Sequence, residues 1–201
     1  MELEDYLREL VEKYPHQAEL KPRQSALLVV DMQEQFRALT GDILPRLRQL
    51  IATCRRRGVA VIYTQHAHQD EDVDGGMLAQ WWGQVIRAGT HDAQLMPEIA
   101  PLPGEKVVAK NRYSAFYKTD LEEHLNRLGI TDLLIGGVMT NLCCETTARD
   151  AFVRDYRVFF LADGTATATE RFQRATLANL SFGFAYLVTC RQMIHHLERD
   201  E

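Results

Sequence analysis

The chain has 201 residues, a formal net charge of −5 and 46% hydrophobic residues, values typical of one soluble globular domain. Its densest basic cluster, Arg55-Arg56-Arg57, forms no broad cationic face, which excludes a nucleic-acid-binding role. No apolar run approaches the length of a membrane span, and the acidic N-terminus has no signal-peptide core. We therefore expect one domain over residues 1–201, with an N-terminal helix within residues 1–20 packed on it, and no membrane partner. Four cysteines without CxxC spacing indicate reduced thiols and a cytoplasmic protein.

Helices and short apolar strands alternate along the chain. In chain order the patterns predict helices at 3–13, 42–57, 120–128, 140–153, 169–180 and 191–199, and strands at 25–31, 59–64, 106–110, 131–136, 157–162 and 185–188. The stretch from 66 to 104 is irregular and long enough to be a functional excursion. Continuous apolar strands alternating with helices are typical of a parallel sheet that is buried on both faces. The predicted fold is α/β: a three-layer α/β/α arrangement with a mostly parallel six-stranded sheet.

Three polar residues of different chemistry stand at strand ends. Asp31 closes the first strand, Lys110 closes the third, and Cys143 lies just past the fourth. The carboxyl ends of parallel strands meet at one edge of a sheet, so we expect an acid, a cation and a thiol in one cleft. Taken singly, each also fits a structural role, as a cap, a solvated lysine or an inert buried cysteine. Together they are the parts of a thiol-dependent acyl transfer.

Each of these residues has a physical task in such a reaction. A helix N-terminus and a neighbouring lysine favour thiolate, so the pattern predicts a lowered pKa for Cys143. Asp31 would accept the thiol proton and return it to the leaving nitrogen, as general base and then general acid. Backbone N–H groups around Met139 to Cys143 would face the developing oxyanion.

Three segments resemble, in the same order, the signatures of isochorismatase-like cysteine hydrolases: LLVVDMQEQF, KNRYSAF and GGVMTNLCCETTARDAF. The resemblance runs from about Ser25 to at least Thr167, and DGGMLAQWWGQ is similar in wording to nicotinamidase-like members. It implies that Asp31 is the base, Lys110 the electrostatic partner and Cys143 the nucleophile. Cys144, the next residue along the predicted helix, should turn into the packing instead.

The resemblance also implies features beyond these three residues. They are a cis peptide bond between Val138 and Met139 that turns amide donors towards the substrate oxygen, a parallel six-stranded sheet, and a homo-oligomer, either a dimer or a tetramer. True isochorismatases resemble this pattern but carry glycine where Cys143 stands. A cysteine here therefore favours amides, ureido groups or related carbonyl substrates.

The leading hypothesis is a hydrolase that cleaves the C–N bond of a small amide through a cysteine thioester, with nicotinamide as the first candidate. Another small carbonyl or ureido substrate, or isochorismatase-type activity, is the alternative within the same family. A dinucleotide-binding oxidoreductase is disfavoured because DMQEQF follows the first strand where a Gly-x-Gly-x-x-Gly turn would stand. A non-catalytic binding protein would leave Cys143 unreactive.

Histidines and aromatic residues supply the candidate substrate contacts. His66 and His68 are two residues apart after the second strand, and with Asp70 or His91 they would make a possible zinc set. We favour the interpretation that they line the pocket, with no metal or other cofactor. The tryptophans would either stack on a flat substrate or pack at a subunit interface. The predicted substrate-binding residues are Phe36, His66, His68, Trp81, Trp82 and Tyr113.

Overall fold

The computed structural model describes residues 3–199, apart from the side chain of Glu4. The helices are α1 (Leu3–Lys13), α2 (Ile43–Arg56), α3 (Gly76–Trp82), α4 (Leu121–Arg127), α5 (Glu145–Phe152), α6 (Glu170–Gly183) and α7 (Cys190–Arg199). The strands are β1 (Ser25–Val30), β2 (Ala60–His66), β3 (Lys106–Lys110), β4 (Asp132–Val138), β5 (Arg157–Ala166) and β6 (Tyr186–Val188). No described helix is long and apolar enough to cross a membrane.

All six strands form one parallel sheet in the order β3-β2-β1-β4-β5-β6, with helices on both sides, which confirms the predicted α/β fold. Strands β1 and β4 are buried along their whole length, as their continuous apolar runs indicate. Successive side chains point to opposite faces of a strand. Leu28 therefore packs in the core cluster with α1, α4, α5 and α6, and Leu27 packs in the second cluster with α2 and α7.

Several element boundaries differ from the predictions. Strand β2 continues to His66 and β5 to Ala166, beyond the predicted ends at 64 and 162. The predicted helix at 140–153 is divided into a π-helical turn, Thr140–Cys144, and α5. Helix α3 was not predicted, because it is short and begins at Gly76, whose φ of +53° is outside helical space.

The long excursion between β2 and β3 is fixed near its middle. The carbonyl oxygen of Ala93 accepts hydrogen bonds from the side-chain amides of Gln33 and Gln65, at 2.9 and 2.7 Å. Two residues further on, Leu95 forms an antiparallel bridge with Gln33. The later half of the excursion is thus held against the loop that follows β1, and helix α3 belongs to the earlier half.

Gly137 permits the closest approach between two central strands. It pairs with Val30 of β1 and has a φ of +121°. A Cβ atom at this position would lie 2.0 Å from the carbonyl oxygen of Val30, a distance that no real contact allows. Because Asp31 follows Val30, this glycine determines how the strands meet where the polar side chains emerge.

The substitution Gly137→Ala is expected to lower the free energy of unfolding by about 3 kcal/mol or more, since both the backbone angle and the space exclude a side chain. The matched control is Gly129→Ala, where φ is +66° but nothing lies within 4 Å of a Cβ. That variant should lose only about 1 kcal/mol. Urea unfolding curves compare the two, and equal losses would contradict the close-approach argument.

Candidate active site

The carboxylate of Asp31 is fixed by a threonine on the neighbouring strand. Asp31 is fully buried and has a φ of +46°, a left-handed conformation that is uncommon for residues other than glycine. Its backbone N–H donates to Thr64 Oγ1 at 3.0 Å, and the Thr64 hydroxyl donates back to Asp31 Oδ1. Thr64 was not among the predicted site residues. Its only signal is a hydroxyl within the otherwise apolar start of β2.

Lys110 forms a buried ion pair with this carboxylate. Its Nζ lies 2.6 Å from Asp31 Oδ2, and both side chains are fully buried. The ammonium also donates to the carbonyl oxygen of Arg112 at 3.0 Å. Burial alone would lower the pKa of Lys110, but Asp31 and the sulfur of Cys143 raise it above its ordinary value. The lysine is therefore charged, and beyond this ion pair Asp31 Oδ2 accepts no hydrogen bond.

Cys143 completes the group of three. Its sulfur lies 3.3 Å from Lys110 Nζ and within 4.8 Å of a carboxylate oxygen of Asp31. The thiol is carried by the π-helical turn after β4, directly beyond the cis peptide bond between Val138 and Met139. Cys143 is 7% exposed, whereas Cys144 is fully buried, and both are free thiols. The sheet edge thus brings together the three residues that the sequence placed at strand ends.

The predicted lowering of the thiol pKa is wrong for the free site. Burial raises the pKa of Cys143 to about 12, because the lowering effect of the Lys110 charge is smaller and is opposed by the Asp31 carboxylate. The reason is charge balance: Asp31 and Lys110 already cancel, so loss of the thiol proton to solvent leaves a buried net negative charge. Transfer of that proton to Asp31 leaves the trio neutral. A slow reaction of the free thiol with an alkylating agent is therefore no sign of a non-catalytic protein.

The two histidines of β2 and the following loop have different surroundings. His66 pairs with Lys110 across the strands, and its Nδ1 lies 3.5 Å from Lys110 Nζ. Burial, and secondly the charge of Lys110, lower the pKa of His66 to about 4. His68 is fully buried, and its Nδ1 lies 3.0 Å from Asp74 Oδ1. The side chain of His68 has no exposed surface and its Nε2 has no hydrogen-bond partner, so its role as a substrate contact stays a prediction.

The residues at this edge do not fit a metal ion. Among residues 3–199, the ligand atoms of Asp31, His66 and Cys143 form the one group of three within ligating distance of one another. The ammonium of Lys110 already contacts all three, at 2.6, 3.5 and 3.3 Å, so a divalent cation would meet a positive charge there. In the part of the chain that the structure describes, His68, Asp70 and His91 belong to no such group.

An apolar groove lies beside the turn that carries Cys143. It has a volume of about 720 Å³, and its walls include Met77, Trp81, Trp82, Arg112, Tyr113 and Leu142. Trp81 and Trp82 are 75% and 55% exposed, and the indole N–H of Trp82 donates to the Tyr113 hydroxyl at 2.8 Å. Phe36, by contrast, lies half-buried against the second core cluster. The groove reaches Leu142, the residue that precedes Cys143, but Asp31, Lys110 and Cys143 themselves do not line it.

Comparison with known proteins agrees with this architecture. Residues 25–192 match the model of the isochorismatase domain. The chain is 48% identical to nicotinamidase 3 of Arabidopsis thaliana, over 84% of this chain and 86% of that protein. It is 32% identical to the ureidoacrylate amidohydrolase of Pseudomonas syringae pv. syringae, over 86% and 83% of the two chains. Among solved structures, a cysteine hydrolase from Pseudomonas syringae pv. phaseolicola superposes with a TM-score of 0.86 at 27% identity, covering 90% and 96%. The chain belongs to the isochorismatase family of hydrolases.

Proposed function

We propose that this protein is a cysteine-dependent amidohydrolase that cleaves the C–N bond of a small amide, with nicotinamide as the first candidate substrate. The observation that carries the proposal is the buried group of Asp31, Lys110 and Cys143, in which an acid with a free lone pair stands beside a thiol. The relative from Arabidopsis thaliana, named a nicotinamidase, supports the choice of amide.

The first half of the reaction forms an acyl-enzyme. When the amide carbonyl reaches the thiol, the proton of Cys143 passes to Asp31, and the charge of Lys110 stabilises the thiolate. The sulfur bonds to the carbonyl carbon, and backbone N–H groups between Met139 and Cys143 donate to the oxyanion. The C–N bond then breaks as Asp31 returns the proton to nitrogen, so ammonia leaves and a thioester remains.

The second half releases the acid. A water molecule that takes the place of ammonia gives a proton to Asp31 and attacks the thioester carbon. The C–S bond breaks, the carboxylic acid forms, and the proton held by Asp31 returns to Cys143. At each stage Asp31 exchanges the proton with Cys143, the leaving nitrogen or the attacking water, so no net charge builds up in this buried site, where it would be costly.

Substrate recognition is proposed to involve side chains around this trio. The groove beside Leu142 presents Trp81, Trp82 and Tyr113, whose flat rings suit a small aromatic amide. Phe36 is a further candidate, because it lies in the short 3₁₀ helix Glu34–Leu39 that follows Asp31. His66 is the polar candidate that stands next to Lys110.

The direct test is ammonia release from the purified protein with nicotinamide, pyrazinamide, ureidoacrylate and a simple aliphatic amide. Release from nicotinamide that disappears in Cys143→Ser would support the proposed function. Release from ureidoacrylate alone would favour the second candidate, a ureido acid, which the similarity to a ureidoacrylate amidohydrolase supports. No release from any amide, in protein that is folded by circular dichroism, would contradict the proposal.

Activity is further expected to be independent of metal. Dialysis against EDTA should leave ammonia release unchanged, because an ammonium stands where the three possible ligands converge. The measurement is the rate before and after dialysis, with a redialysed sample supplied with zinc as the control. A loss on chelation that zinc restores would contradict the metal-free mechanism.

We also propose a homo-oligomer, a dimer or tetramer, in the cytoplasm. The exposed apolar side chains of Val73, Met77 and Trp81 (82%, 66% and 75%) support self-association through the segment that carries α3. The free thiols support a reducing compartment. Light scattering after gel filtration would give a multiple of 23.0 kDa, and Trp81→Glu should shift the mass towards the monomer. A monomeric wild-type protein would contradict this proposal.

A further inference from the structure

The ammonium of Lys110 has more acceptors around it than it has protons. It carries three N–H donors and no acceptor. Two face strong oxygen acceptors, the Asp31 carboxylate at 2.6 Å and the Arg112 carbonyl at 3.0 Å. The third has two acceptors to choose between, Cys143 Sγ at 3.3 Å and His66 Nδ1 at 3.5 Å.

The position of His66 is set by its backbone and its ring neighbour. Its N–H donates to Gln33 Oε1 at 2.8 Å, and its carbonyl accepts from Gln33 Nε2 at 2.9 Å. Gln33 itself is fully buried. The imidazole meets the ring of His68 edge-on with centroids 5.2 Å apart, and Asp74 fixes His68 in turn. The imidazole of His66 is thus held beside Lys110 by the Gln33 hydrogen bonds to its backbone and by the ring of His68.

The chemistry of the two partners determines what Nδ1 does. A charged lysine only donates, so the neutral imidazole accepts at Nδ1 and carries its proton at Nε2. A thiol sulfur is a weak acceptor, whereas a thiolate is a strong one. An N–H that is shared with His66 in the resting state is therefore drawn to the sulfur once the thiol proton has moved to Asp31.

We propose that His66 is a positioning residue that shares the third N–H of Lys110 with Cys143 and thereby restrains thiolate formation in the free site. This inference rests on the proposed thiol mechanism. In this step the S–H bond of Cys143 breaks and an O–H bond forms on Asp31, while one lysine N–H turns from the imidazole nitrogen to the sulfur; nothing is oxidised or reduced. The consequence is a nucleophile that is kept as a thiol until a substrate carbonyl favours the transfer.

The test compares two replacements of His66. His66→Phe keeps a flat ring without an acceptor, and His66→Asn keeps one, because Oδ1 of asparagine can occupy the place of Nδ1. Alkylation of Cys143 by iodoacetamide at pH 7 should become about tenfold faster in His66→Phe, the change expected for one ordinary hydrogen bond. It should stay within about threefold of wild type in His66→Asn. Tandem mass spectrometry identifies the modified residue, with Cys143→Ser as the blank.

A further pair of proteins tests whether His66 acts through Lys110. In a Lys110→Met background, His66→Phe should leave the alkylation rate unchanged, because the shared donor is gone. A rate in His66→Phe that equals or falls below wild type, an equal increase in His66→Asn, or an increase that persists without Lys110 would each overturn the inference. If His66→Phe is unfolded by circular dichroism, His66→Leu provides the same deletion. Alkylation needs no substrate, so a failed amide assay would contradict the proposed function and leave this comparison intact.

Discussion

Replacing Cys143 with alanine is expected to lower ammonia release by about 10⁴-fold or more, since the sulfur forms the covalent bond of the proposed reaction. The fold should persist, because alanine is smaller than cysteine and fits the same nearly buried position, which is 7% exposed, without a clash. The measurement is the turnover rate together with the melting temperature. Retained turnover would contradict the thiol mechanism.

Cys144→Ala is the matched control for this prediction. Cys144 follows Cys143 directly and is fully buried. The loss of its sulfur should cost on the order of 1 kcal/mol of stability and change turnover only a few-fold. The opposite result, with activity lost in Cys144→Ala and kept in Cys143→Ala, would identify Cys144 as the nucleophile and contradict the proposed role of Cys143.

Replacing Lys110 with methionine is expected to damage both stability and catalysis. The change leaves the buried Asp31 carboxylate without its cation, which typically costs about 3–5 kcal/mol. Turnover should fall by at least about 100-fold, because thiolate would then form without a neighbouring positive charge. Urea unfolding and the ammonia assay measure the two effects on the same protein.

Two further proteins separate these effects. Lys106→Met changes a lysine on the same strand whose partner, Asp120, is exposed, so a loss within about 1 kcal/mol is expected. The double change Asp31→Asn with Lys110→Met removes both buried charges and should recover stability relative to Lys110→Met while activity stays absent. A Lys110→Met protein as stable as wild type would contradict the buried ion pair.

The order of helices and strands, and the edge of the sheet at which the candidate site lies, could be predicted from the sequence. Strands β1 and β4 are continuous apolar runs, and a run of that kind leaves few alternatives to a sheet buried on both faces. Once the strands are parallel, Asp31 and Lys110 have to emerge on the same side. The resemblance added the role of each residue and the cis peptide bond before Met139.

Features that depend on contacts between distant parts of the chain could not be predicted in this way. The pKa of Cys143 follows from the net charge of a buried trio and from its depth, and neither is a property of the turn that carries the thiol. Thr64 and Gln33 act through hydrogen bonds between segments, so their partners cannot be predicted from their neighbours in sequence. Helix α3 begins at Gly76 in a conformation that periodicity does not detect.

The hydrogen bonds to the Ala93 carbonyl divide the excursion between β2 and β3 into two parts that differ in how freely their length and sequence can change. Residues 93–105 are bound to the loop that follows β1, so a change in their length would displace Asp31. Asp74 orients His68, and the carbonyl oxygen of Asp92 accepts a hydrogen bond from the Gln35 N–H, so both ends of the earlier part are also tied to the site. Between them, residues 76–85 make no hydrogen bond to the loop after β1 in the described structure, and doubling the length of a flexible loop costs only about 0.6 kcal/mol. This part carries Met77, Trp81 and Trp82 of the groove. The groove wall can therefore change in sequence and length while Asp31, Lys110 and Cys143 keep their positions.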